Sequence, residues 1–154
     1  MKSFLSLFLE ETTFLGVDEK TYKDVLEFIG NKLIKLGYVK ETFTAALLKR
    51  EAEYPTGLPT EPLPVAIPHT DAEHVIKPCI CFIRLNKGVD FNHMIEANKT
   101  INVNYVFCIV LDNADKQIGV LQKILSIVSN SNMMNKLGKV QTSREVYDLI
   151  KGDN

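Results

Sequence analysis

The chain has 154 residues, 45% hydrophobic and 24% charged, with 18 Lys and Arg against 19 Asp and Glu. That length suits one domain over residues 1–154 with a real core, and the near-neutral balance lacks the basic excess of a nucleic-acid binder or an anionic-lipid patch. No apolar run approaches the roughly 20 residues that a membrane-spanning helix needs.

At the amino terminus, MKSFLSLFLEETTF sets Lys2 before FLSLFL, as a weak secretory signal would. Ser6 interrupts the run, Glu10 and Glu11 follow, and no small-residue cleavage site is present, which argues against one. The first element assigned is a helix over 21–36, with Tyr22, Val25, Leu26, Ile29, Leu33 and Leu36 on one face. Thr21 with Asp24 is its start signal and Gly37 its stop. A second helix runs from about Lys40 to Glu53, with Phe43, Ala46, Leu47 and Leu48 inward, and ends before Pro55.

PTGLPTEPLP at 55–64 holds four of the six prolines and reads as a constrained loop rather than an element. Strands are expected at 65–67, at 79–85 (CICFIRL) and at 101–111 (INVNYVFCIVL), the last apolar enough to be central and buried on both faces. Between the last two, NKGVDFNHMIEANK reads as a hairpin-type excursion turning at Gly88. Cys79, Cys81 and Cys108 fall inside these apolar runs. An odd count in that setting points to buried reduced thiols in a cytoplasmic protein, and no zinc-type spacing calls for a metal.

Helical spacing returns over 116–129, with Ile118, Val120, Leu121, Ile124, Leu125 and Val128 as the buried stripe. A short helix near 132–137 ends at Gly138. A last one spans about 143–151, capped by Thr142 or Ser143, with Val146, Leu149 and Ile150 inward. Helices, then strands, then helices make an α/β sandwich around one sheet.

Four residues invite chemistry. His69 directly follows Pro68 at the end of VAIPH; the proline fixes a backbone dihedral, and a rigid strand end is where sites sit on α/β scaffolds. With Thr70 or Asp71 orienting one ring nitrogen, the other is a potential nucleophile or general base; the alternative is a structural histidine. Arg50 ends the second helix, where it either complements the helix carboxyl terminus, pairing with Glu51 or Glu53, or offers a guanidinium fork to phosphate. Thr56 with Gly57 could present a hydroxyl and backbone N–H groups to an anion, or simply form a turn. Gln117 opens the helix after the long central strand, where an anion is favoured, although a surface glutamine is the plainer reading. His74 has the wrong spacing for a helical zinc pair, and His93 reads as a solvated surface residue.

ALLKREAEYPTGLPT followed by VAIPHTDAEHV, then GVDF at 88–91, resembles the enzyme IIA proteins of the bacterial phosphoenolpyruvate:sugar phosphotransferase system. The likeness is to the mannitol–fructose class, and REAEYPTG looks most like the galactitol type. The resemblance covers essentially the whole chain. It implies a single mixed β-sheet flanked by helices on both faces, and a phosphoryl relay without metal or organic cofactor. His69 would accept the phosphoryl group from HPr and pass it to a cysteine of enzyme IIB, which serves the membrane enzyme IIC. Arg50 would stabilise phosphate charge, helped by Thr56. Mannitol- and fructose-type relatives carry a second histidine near the active one. Gln117 stands there instead, which implies a weaker pH dependence of phosphoryl acceptance. Competing readings are a regulatory IIA-like protein and a binding module with a structural His69. The sugar, galactitol or a relative, follows from likeness alone.

Overall fold

The computed structural model describes residues 2–152. In chain order its elements are α1 (Lys2–Leu5), β1 (Phe8–Val17), α2 (Tyr22–Leu36), α3 (Phe43–Glu53), β2 (Gly57–Leu58), β3 (Val65–Ala66), β4 (Cys79–Asn92), β5 (Thr100–Val110), α4 (Gln117–Val128), α5 (Ser131–Leu137) and α6 (Ser143–Gly152). The strands form one five-stranded mixed sheet in the order β1-β4-β5-β3-β2. β4 and β5 are antiparallel, β1 runs parallel to β4 and β3 parallel to β5, and β2 is antiparallel to β3.

Alternation along β4 explains the two layers. Cys79, Cys81 and Ile83 face one side, where they meet Val25, Leu26, Ile29 and Leu33 of α2 and Phe43 and Leu47 of α3. Ile80 and Phe82 face the other, against Phe4, Ile124 and Ile127, with Val146 and Ile150 of α6 in the same cluster. Both faces of the sheet are therefore covered, and its central strands are nearly continuously apolar. The expected sheet with helices on both faces is the one observed. All three cysteines are buried free thiols.

Local signals explain the helix ends. Thr21 accepts a hydrogen bond from the Asp24 N–H, and Gly37 takes the left-handed conformation at φ 86° that closes α2. Thr142 caps α6 in the same way, accepting from the Glu145 N–H at 3.1 Å.

Four expectations need correction. β1 is a full edge strand where none was assigned: its register shifts twice, so the period of two is lost. Thr12 and Thr13 are buried there, donating to the carbonyl oxygens of Ile80 and Leu9. β4 continues through Gly88 to Asn92, with its register shift between Arg84 and Val89. The chain instead reverses over residues 93–99. The proline-rich loop contains β2, and the reversal folds back onto it through a bond from the Met94 N–H to the Gly57 oxygen at 2.8 Å. Finally, Ile118 is 71% exposed. The buried stripe of α4 is set by Val120, Ile124, Ile127 and Val128, and Ile118 is roughly 180° around the helix from Ile127.

Candidate functional site

β3 is short because Pro68 has no N–H for the ladder. Its carbonyl remains in use, accepting from the Ile109 N–H of β5 at 3.0 Å, and His69 bridges to Ile109 in the same parallel register. This pins the residue before the histidine to the central sheet. The imidazole folds back so that Nδ1 lies 3.0 Å from the Ile67 carbonyl oxygen. A carbonyl only accepts, so Nδ1 carries the proton and Nε2 keeps its lone pair. The expected orienting groups, Thr70 and Asp71, do not hold this nitrogen; a backbone oxygen does. Burial lowers the pKa of the half-buried ring; the Ile67 bond raises it in part, the Arg50 cation lowers it further, and Asp71 has the smallest, upward effect. The ring is thus neutral and nucleophilic around pH 7.

Arg50 lies in the last turn of α3, its side chain 39% exposed. Its guanidinium carbon stands 4.8 Å from the centre of the Tyr54 ring, and one terminal nitrogen is 3.9 Å from an Asp71 oxygen. That ion pair is long and solvated, so it holds the cation loosely. The Nε donor is buried with no acceptor among the described residues. A stacked but incompletely bonded guanidinium is well suited to receive an oxyanion.

Thr56 is placed differently from its expected role. It is 2% exposed, and its hydroxyl is 2.9 Å from Oε1 and 3.2 Å from Oε2 of Glu51. The Thr56 N–H also donates to Glu51, at 2.8 Å. Neither group faces an incoming anion. The Ile67 N–H in turn donates to Thr56, 3.2 Å from Oγ1 and 3.3 Å from the carbonyl oxygen. Glu51 therefore faces inward rather than pairing with Arg50. It is 2% exposed, and desolvation raises its pKa to about 7 against the lowering effect of the Thr56 bonds. Sequence reasoning missed it, although a signal existed: Phe43, Leu47 and Glu51 recur every four residues on the buried face of α3.

Gln117 is half-buried at the first position of α4, after the turn Ala114–Lys116. No hydrogen bond joins it to His69 or Arg50 among the described residues. β5 and α4 bring it to the end of the sheet where His69 bridges to β5.

Residues 6–152 match the model of the family described as phosphoenolpyruvate-dependent sugar phosphotransferase system, EIIA 2. The chain belongs to this family. It is 30% identical over 122 residues to the galactitol-specific EIIA component of Escherichia coli K12, covering 79% of this chain and 81% of that protein. The crystal structure of IIA mannitol from E. coli superposes with a TM-score of 0.74 at 26% identity, covering 91% of this chain and 96% of the other. The complex of E. coli enzyme IIA mannitol with phosphorylated enzyme IIB mannitol also matches, with the same TM-score and identity over 92% of this chain and 95% of that one.

The other two histidines of this EIIA lie outside the cluster. His74 Nδ1 is 2.8 Å from the Thr42 hydroxyl. His93 is half-buried rather than freely solvated, and its Nδ1 accepts the N–H groups of Ile95 and Glu96 at 3.0 and 3.1 Å. Among the described residues, no helix of this EIIA is long and apolar enough to cross a membrane.

Proposed function

We propose that this EIIA is a phosphocarrier: Nε2 of His69 accepts a phosphoryl group from phospho-HPr and delivers it to a cysteine of the cognate enzyme IIB. The observation that carries the reading is the bond from Nδ1 to the Ile67 oxygen, which leaves Nε2 unprotonated on a fixed ring beside Arg50. In acceptance, the Nε2 lone pair forms the N–P bond as the bond from phosphorus to its donor breaks, the electron pair leaving with the donor. In delivery, a thiolate of IIB attacks phosphorus and the N–P electron pair returns to the ring. Such transfer asks a protein chiefly for in-line positioning and charge stabilisation. Arg50 supplies the charge, and no metal or organic cofactor takes part.

The mannitol IIA–IIB complex supports IIB as the acceptor, and the galactitol-specific relative supports uptake of galactitol or a related sugar. The protein acts in the cytoplasm and reaches the membrane enzyme IIC only through IIB. Gln117 keeps a hydrogen-bonding amide near the site and adds no second titrating group. Incubation with labelled phosphoenolpyruvate, enzyme I and HPr tests the relay. Acid-labile, base-stable label is expected on the wild type and none on His69→Ala. Label persisting on that variant would place the acceptor elsewhere.

A further inference from the structure

Glu51 is the least expected side chain in the molecule. Fully buried glutamates are rare, and desolvating an ionisable carboxyl is costly, as its pKa of about 7 reflects. Fastening a loop would not require one, because a neutral amide or hydroxyl closes a turn at lower cost. What the carboxyl provides is two adjacent oxygens that accept the Thr56 N–H and hydroxyl together. The Ile67 N–H donates to Thr56 Oγ1, and the Thr56 hydroxyl and N–H both donate to Glu51. With its hydroxyl proton directed to a Glu51 oxygen, Thr56 Oγ1 faces Ile67 as an acceptor. On the other side of the same segment, the Pro68 carbonyl is held by the Ile109 N–H. The Ile67 carbonyl lies between these two fastenings, and it is the group to which His69 Nδ1–H donates.

We infer that Glu51, acting through Thr56, is a positioning residue that fixes the tautomer and aim of His69. By holding Ile67 it keeps the carbonyl acceptor in line with Nδ1, so that the proton stays there and Nε2 is presented to phosphorus. This assignment rests on the phosphocarrier reading for its purpose, but its physical content, control of the ring's tautomer, stands without any phosphoryl donor.

The test measures both separately. Long-range ¹H–¹⁵N correlation spectra of labelled protein report which His69 nitrogen is protonated, and folding is checked by amide dispersion. The wild type is expected as the Nδ1–H form. Glu51→Gln brings an amide donor to face the Thr56 donors, and Thr56→Val removes the hydroxyl while leaving the loop's N–H anchor. Both should populate the other tautomer and slow acceptance from phospho-HPr about tenfold in kcat with little change in KM. Thr56→Ser should restore the wild-type spectrum and rate. If folded Glu51→Gln and Thr56→Val keep the wild-type tautomer, the inference is wrong, whatever the relay does. If instead the wild type takes no label while the tautomer shifts as stated, the phosphocarrier reading fails and the positioning role survives. Should Glu51→Gln not fold, the Thr56→Val and Thr56→Ser pair decides.

Discussion

The pKa shifts at His69 and Glu51 have opposite consequences for pH. Burial, with help from Arg50, holds the His69 pKa below the ordinary 6.5. The neutral nucleophile therefore persists as pH falls through that value, and acceptance of phosphate should stay flat to more acidic pH than a free imidazole allows. Gln117 adds no titrating group near the site, so the acid side of the profile should carry no second imidazole step. A pH series of initial labelling rates checks both points. Arg50→Ala should leave the fold intact, since the side chain is partly exposed, yet reduce acceptance about a hundredfold, as loss of one oxyanion-stabilising donor does. Single-turnover labelling at saturating phospho-HPr measures it. Glu51 gives a stability prediction with a definite sign. Its folded pKa of about 7 lies above the ordinary 4.5, so between those values the folded state keeps a proton that the unfolded chain has released. Wild-type stability should thus lose on the order of 3 kcal/mol from this group as pH rises through the window. Glu51→Gln lacks the loss, so its stability relative to wild type should improve steadily from pH 4.5 to above 7. Urea denaturation of each across that range reads it.

At the scale of elements, the tightest joint near the site is between β2 and the chain reversal after β4. A Cβ added to Gly57 would lie 2.6 Å from the backbone oxygen of Asn92, which cannot swing aside as a side chain can. Gly57→Ala should therefore destabilise by about 1–3 kcal/mol, the usual cost of overpacking, and displace the loop carrying Thr56. A lowered thermal midpoint together with slower labelling is the expected result. That joint also shows where sequence reading stops. The helices α2 and α6 and the central β5 were legible because one face or both are buried, so apolar spacing records the packing. His69 and Arg50 were legible because a proline lock and a helix end leave local marks. β1 was not, because its shifted register makes threonine hydroxyls rather than alternating apolar side chains satisfy its interior. Gly88 invited a turn although the reversal is closed at 93–99 by the ring of His93 and by Gly57, a partner distant in sequence. Thr56 and Glu51 share that difficulty. The spacing of Phe43, Leu47 and Glu51 marks the glutamate as inward, but its link through Thr56 to Ile67, eleven residues beyond the threonine, has no local pattern.

Across the whole molecule, the sheet is sealed on both faces, so the apolar residues left outside gain meaning. Single exposed hydrophobics are ordinary, but the proposed function requires one surface to bind and release two partners in turn. Tyr54 is 62% exposed against Arg50, and Ile95 is 81% exposed in the reversal that bonds to Gly57. Ile118 is 71% exposed immediately after Gln117, a residue of the expected α4 stripe that faces outward instead. Each adjoins a segment described above, the end of α3, the Gly57 loop or the start of α4, and none supports the core. Their removal should therefore affect docking without touching the chemistry or the fold. Ile118→Asp and Ile95→Asp place a charge where a partner would desolvate it, and each should raise KM for phospho-HPr or for IIB about tenfold. The rate at saturation and the unfolding midpoint should stay at wild-type values, because the nucleophile, its tautomer and both apolar layers are unchanged. Steady-state transfer with each partner varied in turn separates the two docking events. Unaltered KM for both partners in both variants would remove these residues from the docking surface.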